Sequence, residues 1–524
     1  MKNEGKLLNK EYIYFFFLIS FLPILIFVFS NFLKPDFIIL RNLYYFFFIF
    51  FFNILIYFFF AKFYSIISSI KLIFFSNIFI FFSNYIEYFF YKYLLSINLI
   101  RPYYFYVIIL ALYVIIIKKI FFKKNNNTKN FVEILNKFLS IFFIFNIIFI
   151  SINLLKKNIA YKDNIYLDLE KSNLTEIVNN NVFKKQNIYF IVLDGFQDFE
   201  TFDNITKIYT EEINEFKNYL ILNNFKIENS IRSSSIVTPI SMGQTLSMNY
   251  LISEDIKYNL NLFFPIQDKW LKNDLPVINI LKKRGYNINY YNSGLIPNKI
   301  CNQEITVCLS RKTFFIEQDL IFLNNTPILR FLAKLFEMKF YLKILFPGLY
   351  EISDFVQDYK KMDIISNNGE FFYIHGIIPH APYRFDRNCN YLDKLVINEV
   401  DRDYEEQYLC AIKQAKNLLN AIKSKDNNAI IILMSDHGSR LGGIEGPDYK
   451  IRELTNPEMI QLSSPLYAFS SVGCDIKKKI LNTVNTFRAI FSCLDNKDYD
   501  FLDSKSILVG YPNWENPNDI FILK

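Results

Sequence analysis

The run Ala429-Ile430-Ile431-Ile432-Leu433-Met434-Ser435-Asp436-His437-Gly438 decides the reading of this 524-residue chain. Its apolar part is continuous rather than alternating, as expected of a strand in a parallel sheet covered on both faces. It ends in a carboxylate beside an imidazole, a pair suited to holding a metal ion. The chain has only 3 histidines. The other two, His375 and His380, follow the short apolar run Phe371-Phe372-Tyr373-Ile374. A similar run, Asn187-Ile188-Tyr189-Phe190-Ile191-Val192-Leu193, ends in Asp194-Gly195. Tyr286-Asn287-Ile288-Asn289-Tyr290-Tyr291 reads as a further strand after a helix ending near Lys283-Arg284-Gly285. Tyr404, Tyr408, Ile412, Ala415, Leu419 and Ile422 recur at helical spacing. Strands alternating with helices predict an α/β domain with a mostly parallel sheet. Ligands of such sheets bind beyond the carboxyl ends of the strands. Asp194, His375 and the Asp436-His437 pair, each read as lying just after a strand, are therefore expected to converge.

Each of these residues also has a plainer reading. Asp194 with Gly195 fits a turn cap, and His375 and His380 fit structural histidines. Taken together, two carboxylates and an imidazole form a ligand set suited to Zn²⁺ or Mn²⁺. One ion is expected, because no histidine follows His437. The hydroxyl nucleophile falls in Ser233-Ser234-Ser235-Ile236-Val237-Thr238-Pro239-Ile240-Ser241-Met242. Thr238 before Pro239 reads as an N-cap with proline at the first helical position, in a helix running through Tyr250. A helix start favours a bound phosphate, and a hydroxyl on a divalent cation is a better nucleophile. Spacing does not separate Thr238 from Ser234, Ser235 or Ser241.

The first third of the chain is different. Of 59 phenylalanines, a large share lies in apolar runs before residue 158. A bilayer core needs about 20 apolar residues in a helix. Tyr12–Leu33, Leu43–Phe60, Leu72–Phe90, Tyr103–Ile117 and Phe138–Leu155 are read as about five spans. Asn77, Asn84 and Glu87 in the third are expected to face the bundle. Lys2, Lys6 and Lys10 before the first span, and Lys118, Lys119, Lys123, Lys124 and Lys129 before the fifth, predict a cytoplasmic N-terminus. The fifth span then delivers the remainder to the periplasmic or extracellular side of the inner (plasma) membrane. These loops largely explain the net charge of +8, so no nucleic-acid partner is read from it. The division expected is a transmembrane anchor at 1–158, a polar linker at 159–184, and an extracytoplasmic catalytic domain at 185–524. Of the 6 cysteines, Cys301 and Cys308 are spaced for a local disulfide. Cys389, Cys410, Cys474 and Cys493 give no readable pairing, and free thiols fit them equally well. Arg384, Arg387 and Arg440 near the proposed site are read as solvated.

In order, Ile188-Tyr189-Phe190-Ile191-Val192-Leu193-Asp194-Gly195, Thr238-Pro239-Ile240-Ser241-Met242, His375-Gly376-Ile377-Ile378-Pro379-His380-Ala381-Pro382-Tyr383, Ser435-Asp436-His437-Gly438 and Asn485-Thr486-Phe487-Arg488 resemble the membrane-anchored, sulfatase-like branch of the alkaline phosphatase superfamily. The resemblance spans about residues 185–510 and is similar to lipoteichoic acid synthases and phosphoethanolamine transferases. It implies a metal held by Asp194, Thr238, Asp436 and His437, with Thr238 as the covalently modified nucleophile. It also implies that His380, with His375, binds the transferred group or protonates a leaving oxygen. The implied partners are a phospholipid donor, a surface glycan or lipid acceptor, and the bilayer. Two features depart from the pattern: no Cys-x-Pro-x-Arg segment surrounds Thr238, which disfavours sulfate-ester hydrolysis, and Asp194 stands where the named transferases carry Glu. A tethered phosphodiesterase, a non-catalytic envelope scaffold and a transporter are the competing readings.

Overall fold

The computed structural model describes residues 10–31, 40–63, 185–252, 260–292, 305–310, 351–365, 368–381, 383–396, 401–441, 454–472, 478–509 and 520–523. It also describes most of 68–77 and 133–152 and a few isolated residues. The chain divides into two compact units, residues 1–159 with 317–341, and residues 160–316 with 342–524.

Among the described residues of the first unit, one helix, Arg41–Phe63, is long and apolar enough to cross a membrane. A second long helix, Lys10–Asn31, runs over the first expected span. The fourth expected span, Asn84, Glu87 and the lysines of 118–129 lie outside the described residues, as do most of the third span and of the linker. Asn77 is buried, as expected of a bundle-facing amide. It donates to Asn53 Oδ1 at 2.7 Å, while Asn53 Nδ2 reaches Ser20 Oγ at 2.9 Å. The opposite side of Arg41–Phe63 shows Tyr44, Phe48, Leu55 and Phe59 to the surroundings.

The second unit carries the strands β1 (Ile188–Leu193), β2 (Lys226–Ile227), β3 (Asn287–Asn292), β4 (Val307–Ser310), β5 (Glu370–Gly376), β6 (Tyr383–Phe385), β7 (Tyr391–Val396), β8 (Ile430–Met434), β9 (Tyr467–Ser471), β10 (Ser506–Val509) and β11 (Ile520–Leu523). Seven of them form one sheet in the order β2-β9-β8-β1-β5-β3-β4. The pairs β1/β8, β1/β5, β3/β5 and β3/β4 are parallel, and only β8/β9 and β2/β9 are antiparallel.

The continuous apolarity of β1 and β8 has the cause expected. Tyr189, Ile191, Leu193, Ile431 and Leu433 belong to one core cluster, with Tyr408 and Leu418 of the helix Asp401–Lys425. Ile188, Phe190, Val192, Ile430, Ile432 and Met434 belong to a second, with Leu281, Phe487 and Phe491 from helices on the other face. Alternate residues of one strand thus feed opposite layers. Between register partners of β1 and β5, the Tyr189 and Phe372 rings stack with centroids 4.8 Å apart. Such a pair contributes about 1 kcal/mol beyond its buried area.

Cys389 and Cys410 form a disulfide across 21 residues, tying the turn after β6 to the helix Asp401–Lys425. Cys308 and Cys493 are each disulfide-bonded as well. Cys301 and Cys474 lie outside the described residues.

Candidate metal centre

Strand register builds the site. Val192 of β1 is level with Met434 of β8 and with His375 of β5. Two residues further on, Asp194 and Asp436 are level with each other just past the ends of β1 and β8. A two-residue step keeps a side chain on the same side of a sheet. His375 therefore lies one pleat below the two carboxylates on the same side, on the strand next to β1. The expectation that His375 follows a strand is corrected here: β5 continues through Gly376, and His375 is its penultimate residue. The segments converge nonetheless.

The two loops are stitched together. Gly195, at φ +68°, donates its N–H to Asp436 Oδ1 at 3.1 Å, and Phe196 donates to Ser435 Oγ at 2.8 Å. Ser435 Oγ in turn donates to the His437 carbonyl at 2.7 Å. Gln197 Oε1 accepts from Ser439 N at 2.7 Å while its amide donates to the Ser464 carbonyl. A Cβ at Gly438 would meet the Gln461 carbonyl oxygen at 2.0 Å. From the helix Asp401–Lys425, Tyr404 donates to the Gly195 carbonyl at 2.8 Å, and Gln407 to the carbonyls of Pro379 and His380. Gly195, Ser435 and Gly438 stand in the strand-end motifs and Tyr404 on the helical stripe, whereas the bracing roles of Gln197, Ser439 and Gln407 have no signal in the sequence.

Thr238 arrives from the helix Thr238–Ser247, whose Met242 and Leu246 pack into the second core cluster. The N-cap is Val237 rather than Thr238, and the helix stops at Ser247, where Met248 adopts a left-handed conformation. Both expectations shift by a few residues. A non-hydrogen-bonding valine cap leaves the Thr238 hydroxyl free of capping duty. Among the candidate nucleophiles, Ser234, Ser235 and Ser241 are fully buried and Thr238 is half-buried. Ser241 Oγ donates to the Asp436 carbonyl at 2.6 Å, a bracing role.

His437 Nδ1 lies 2.7 Å from the Gly438 carbonyl, which requires the proton on Nδ1 and turns the Nε2 lone pair into the site. Around Nε2 stand Asp436 Oδ2 at 3.4 Å, Asp194 Oδ1 at 3.5 Å and Thr238 Oγ1 at 3.5 Å. These separations are long for hydrogen bonds. They match donors sharing one tetrahedral cation at bonds of about 2.1 Å, which lie roughly 3.4 Å apart.

Asp194 Oδ1, Asp436 Oδ2 and His375 Nε2 are buried without any hydrogen-bond partner. Burial first, then the neighbouring Asp436, pushes Asp194 up to about 8. Burial opposes ionisation of Asp436 too, but the imidazoles of His437 and His375, with Thr238 and the Gly195 N–H, hold it below the usual carboxylate range. Burial holds His375 down to about 4, so its ring is neutral near pH 7. Two adjacent buried carboxylates with orphaned oxygens are costly by themselves and fit a divalent cation. Asp194, His375 and Asp436 form one group with donor atoms within 4.8 Å of one another, and Asp194, His380 and His437 form another.

His380 stands at the rim. It is half-buried, its backbone N–H donates to the Asp194 carbonyl at 3.1 Å, and its Nδ1 is 2.7 Å from the Ala381 carbonyl. The arginines resolve individually. Arg384 is buried against Glu351 at 3.2 Å rather than solvated, and Arg387 pairs with Glu406 at 2.7 Å.

No protein-family model and no curated protein matches this chain. Solved structures similar to it include the C-terminal periplasmic domain of EptC from Escherichia coli in complex with zinc. That domain is 12% identical, with 64% of this chain and 92% of that one covered and a TM-score of 0.41. The soluble domain of lipooligosaccharide phosphoethanolamine transferase A from Neisseria meningitidis is 12% identical over 60% of this chain and 90% of that one, at a TM-score of 0.37. The integral membrane form of the latter is 12% identical over 91% and 95%, at a TM-score of 0.36. Likeness at this level leaves the chemistry to the side chains themselves.

Proposed function

We propose that this protein is a membrane-anchored, metal-dependent transferase that moves a phospho-head group, of phosphoethanolamine or phosphoglycerol type, from a phospholipid to a cell-envelope glycan or lipid. One observation carries the reading: the half-buried Thr238 hydroxyl faces the same imidazole nitrogen as two carboxylates, each with one buried oxygen that lacks a hydrogen-bond partner. Asp194, Asp436, His437 and Thr238 are the residues that would hold one Zn²⁺ or Mn²⁺. Such an ion, when bound, neutralises the carboxylates and favours the ionised form of a neighbouring hydroxyl.

Thr238 Oγ1 forms the bond to phosphorus as the bond to the diacylglycerol oxygen breaks, and the head group is held on the threonine. The Thr238 proton is released and the leaving diacylglycerol oxygen gains one, so the step balances without a further reactant. His380, half-buried at the rim, is placed to donate that proton. In the second step it receives the proton of the acceptor hydroxyl, whose oxygen bonds to phosphorus as the bond to Thr238 Oγ1 breaks, and Thr238 Oγ1 regains a proton from solvent. Residues 1–158 serve as the anchor, with the N-terminus cytoplasmic and residues 185–524 on the periplasmic or extracellular side, which brings a lipid donor within reach.

Purified full-length protein incubated with a head-group-labelled phospholipid is expected to release diacylglycerol and to carry label on a peptide containing Thr238. Thr238→Ala is expected to lose both while retaining its metal. Undiminished transfer by Thr238→Ala at normal metal content would sink the mechanism. Label recovered only as free head group, with every candidate acceptor present, would point to the phosphodiesterase instead.

A further inference from the structure

We propose that His375 is a ligand of the same cation through Nε2, so that this centre is held by two imidazoles as well as two carboxylates. The proposal rests on the metal-dependent reading above and assigns to the metal a residue that the sequence resemblance gives to the transferred group.

Position is the first argument. His375 is fully buried, one pleat beneath Asp194 and Asp436, and walled in by Tyr373 and Trp270, with ring centroids 6.1 Å away in each case. A fully enclosed ring one pleat below the carboxylates is poorly placed to meet a substrate arriving from solvent. Pairing is the second. Nε2 lies 3.8 Å from Asp194 Oδ2, too far for a hydrogen bond, and has no other partner. A buried imidazole nitrogen without a partner is destabilising. A shared cation satisfies it together with the orphaned carboxylate oxygens, and its donor atom belongs to the compact group with Asp194 and Asp436. Orientation is the third. Nδ1 is 3.5 Å from the Tyr373 hydroxyl, whose oxygen also accepts from Trp270 Nε1 at 3.0 Å. At that length the hydroxyl oxygen faces an Nδ1–H rather than bonding it firmly, which suits the tautomer with the Nε2 lone pair toward the carboxylates. Outer partners of this kind orient metal-bound histidines and change affinity about 10–100-fold when removed.

X-ray absorption spectroscopy on the zinc-loaded full-length protein in detergent tests this without reference to turnover. Two imidazoles per zinc are expected, two again in His380→Ala, and one in His375→Ala. Zinc affinity, measured by chelator competition, is expected to fall at least tenfold in His375→Ala and several-fold in Tyr373→Phe. A single imidazole in the unmodified protein would overturn the assignment while leaving the metal-dependent reading intact. So would loss of the second imidazole in His380→Ala instead of His375→Ala. Failure of the unmodified protein to bind zinc or manganese at all would remove both. Should His375→Ala fail to fold, the imidazole count in the unmodified and His380→Ala proteins still decides the matter.

Discussion

Asp436 and His375 at the floor of the site are fully buried, whereas Thr238 and His380 at its rim are half-buried. The floor comes from parallel strands at the middle of the sheet, where register fixes position to within a pleat. The rim comes from a helix start and a loop, held by hydrogen bonds such as those from Ser241 to the Asp436 carbonyl and from Gln407 to the Pro379 and His380 carbonyls. At the floor, Asp194, Asp436 and His375 carry buried atoms without a hydrogen-bond partner, which fits a cation, while the His380 ring is partly open to solvent. On the proposed mechanism Thr238 serves both sides of this division while His375 and His380 serve one each, so substitutions on the two sides should have different signatures.

The sharpest contrast is at Asp436. Asp436→Asn is expected to abolish metal binding and lower transfer by about 10³-fold or more, because it removes a buried charged donor along with the ion's function. Near-normal zinc content in that variant would erase the distinction. His380→Ala is expected to keep stoichiometric zinc yet lose about 10²–10⁴-fold in turnover, the range for a displaced general acid or base. It should also flatten the limb of the pH profile that the histidine governs. Loss of metal in His380→Ala would move this residue to the floor.

Two smaller effects sharpen the picture in stability rather than rate. Replacing Cys389 and Cys410 together by serine opens a loop of 21 residues and is expected to cost about 3 kcal/mol, seen as a lower urea midpoint. This bridge braces the Asp401–Lys425 helix, which positions the rim and the first strand loop, so turnover should fall less than stability.

The second effect appears in chelated, metal-free protein. Folded Asp194 keeps its proton to about pH 8, whereas the unfolded chain loses it near 3.9. That difference lowers stability as pH rises between those values. His375 acts oppositely: the unfolded ring takes a proton below about 6.5, but the folded one resists until about 4, so stability is lost as pH falls through that range. The two oppose each other below pH 6.5, and above it only Asp194 operates. Metal-free stability is therefore expected to drop between pH 6.5 and 8, by about 1.4 kcal/mol per pH unit at most, seen as a falling melting temperature. Asp194→Asn should remove the slope. A metal-free protein equally stable across that window would mean that Asp194 is not as buried, nor as close to Asp436, as described.

Much of this architecture was readable in the residues. Central strands declare themselves because both faces are covered, so Ile430 to Met434 and Ile188 to Leu193 need no polar residue. Their ends carry chemistry because apolarity stops there. Subtler features depend on neighbours distant in sequence. That Ser241 braces a carbonyl while Thr238 stays accessible follows from how the helix Thr238–Ser247 lies on the sheet, which no local pattern encodes. His375 was placed one step too far along because a strand boundary cannot be fixed to a residue from apolarity alone. The Cys389–Cys410 pairing was illegible for a different reason, since spacing does not determine connectivity. Arg384 was taken for a solvated group because its partner, Glu351, lies 33 residues away.

Gly438 has a consequence that reaches past its own loop. With the Gln461 carbonyl pressed against its α-carbon, and its N–H donated to the Leu462 carbonyl at 2.8 Å, the short helix Asn456–Leu462 acts as a doorstop for the segment bearing His437. The tightness of the ion's grip is therefore adjustable from a helix that supplies none of its ligands.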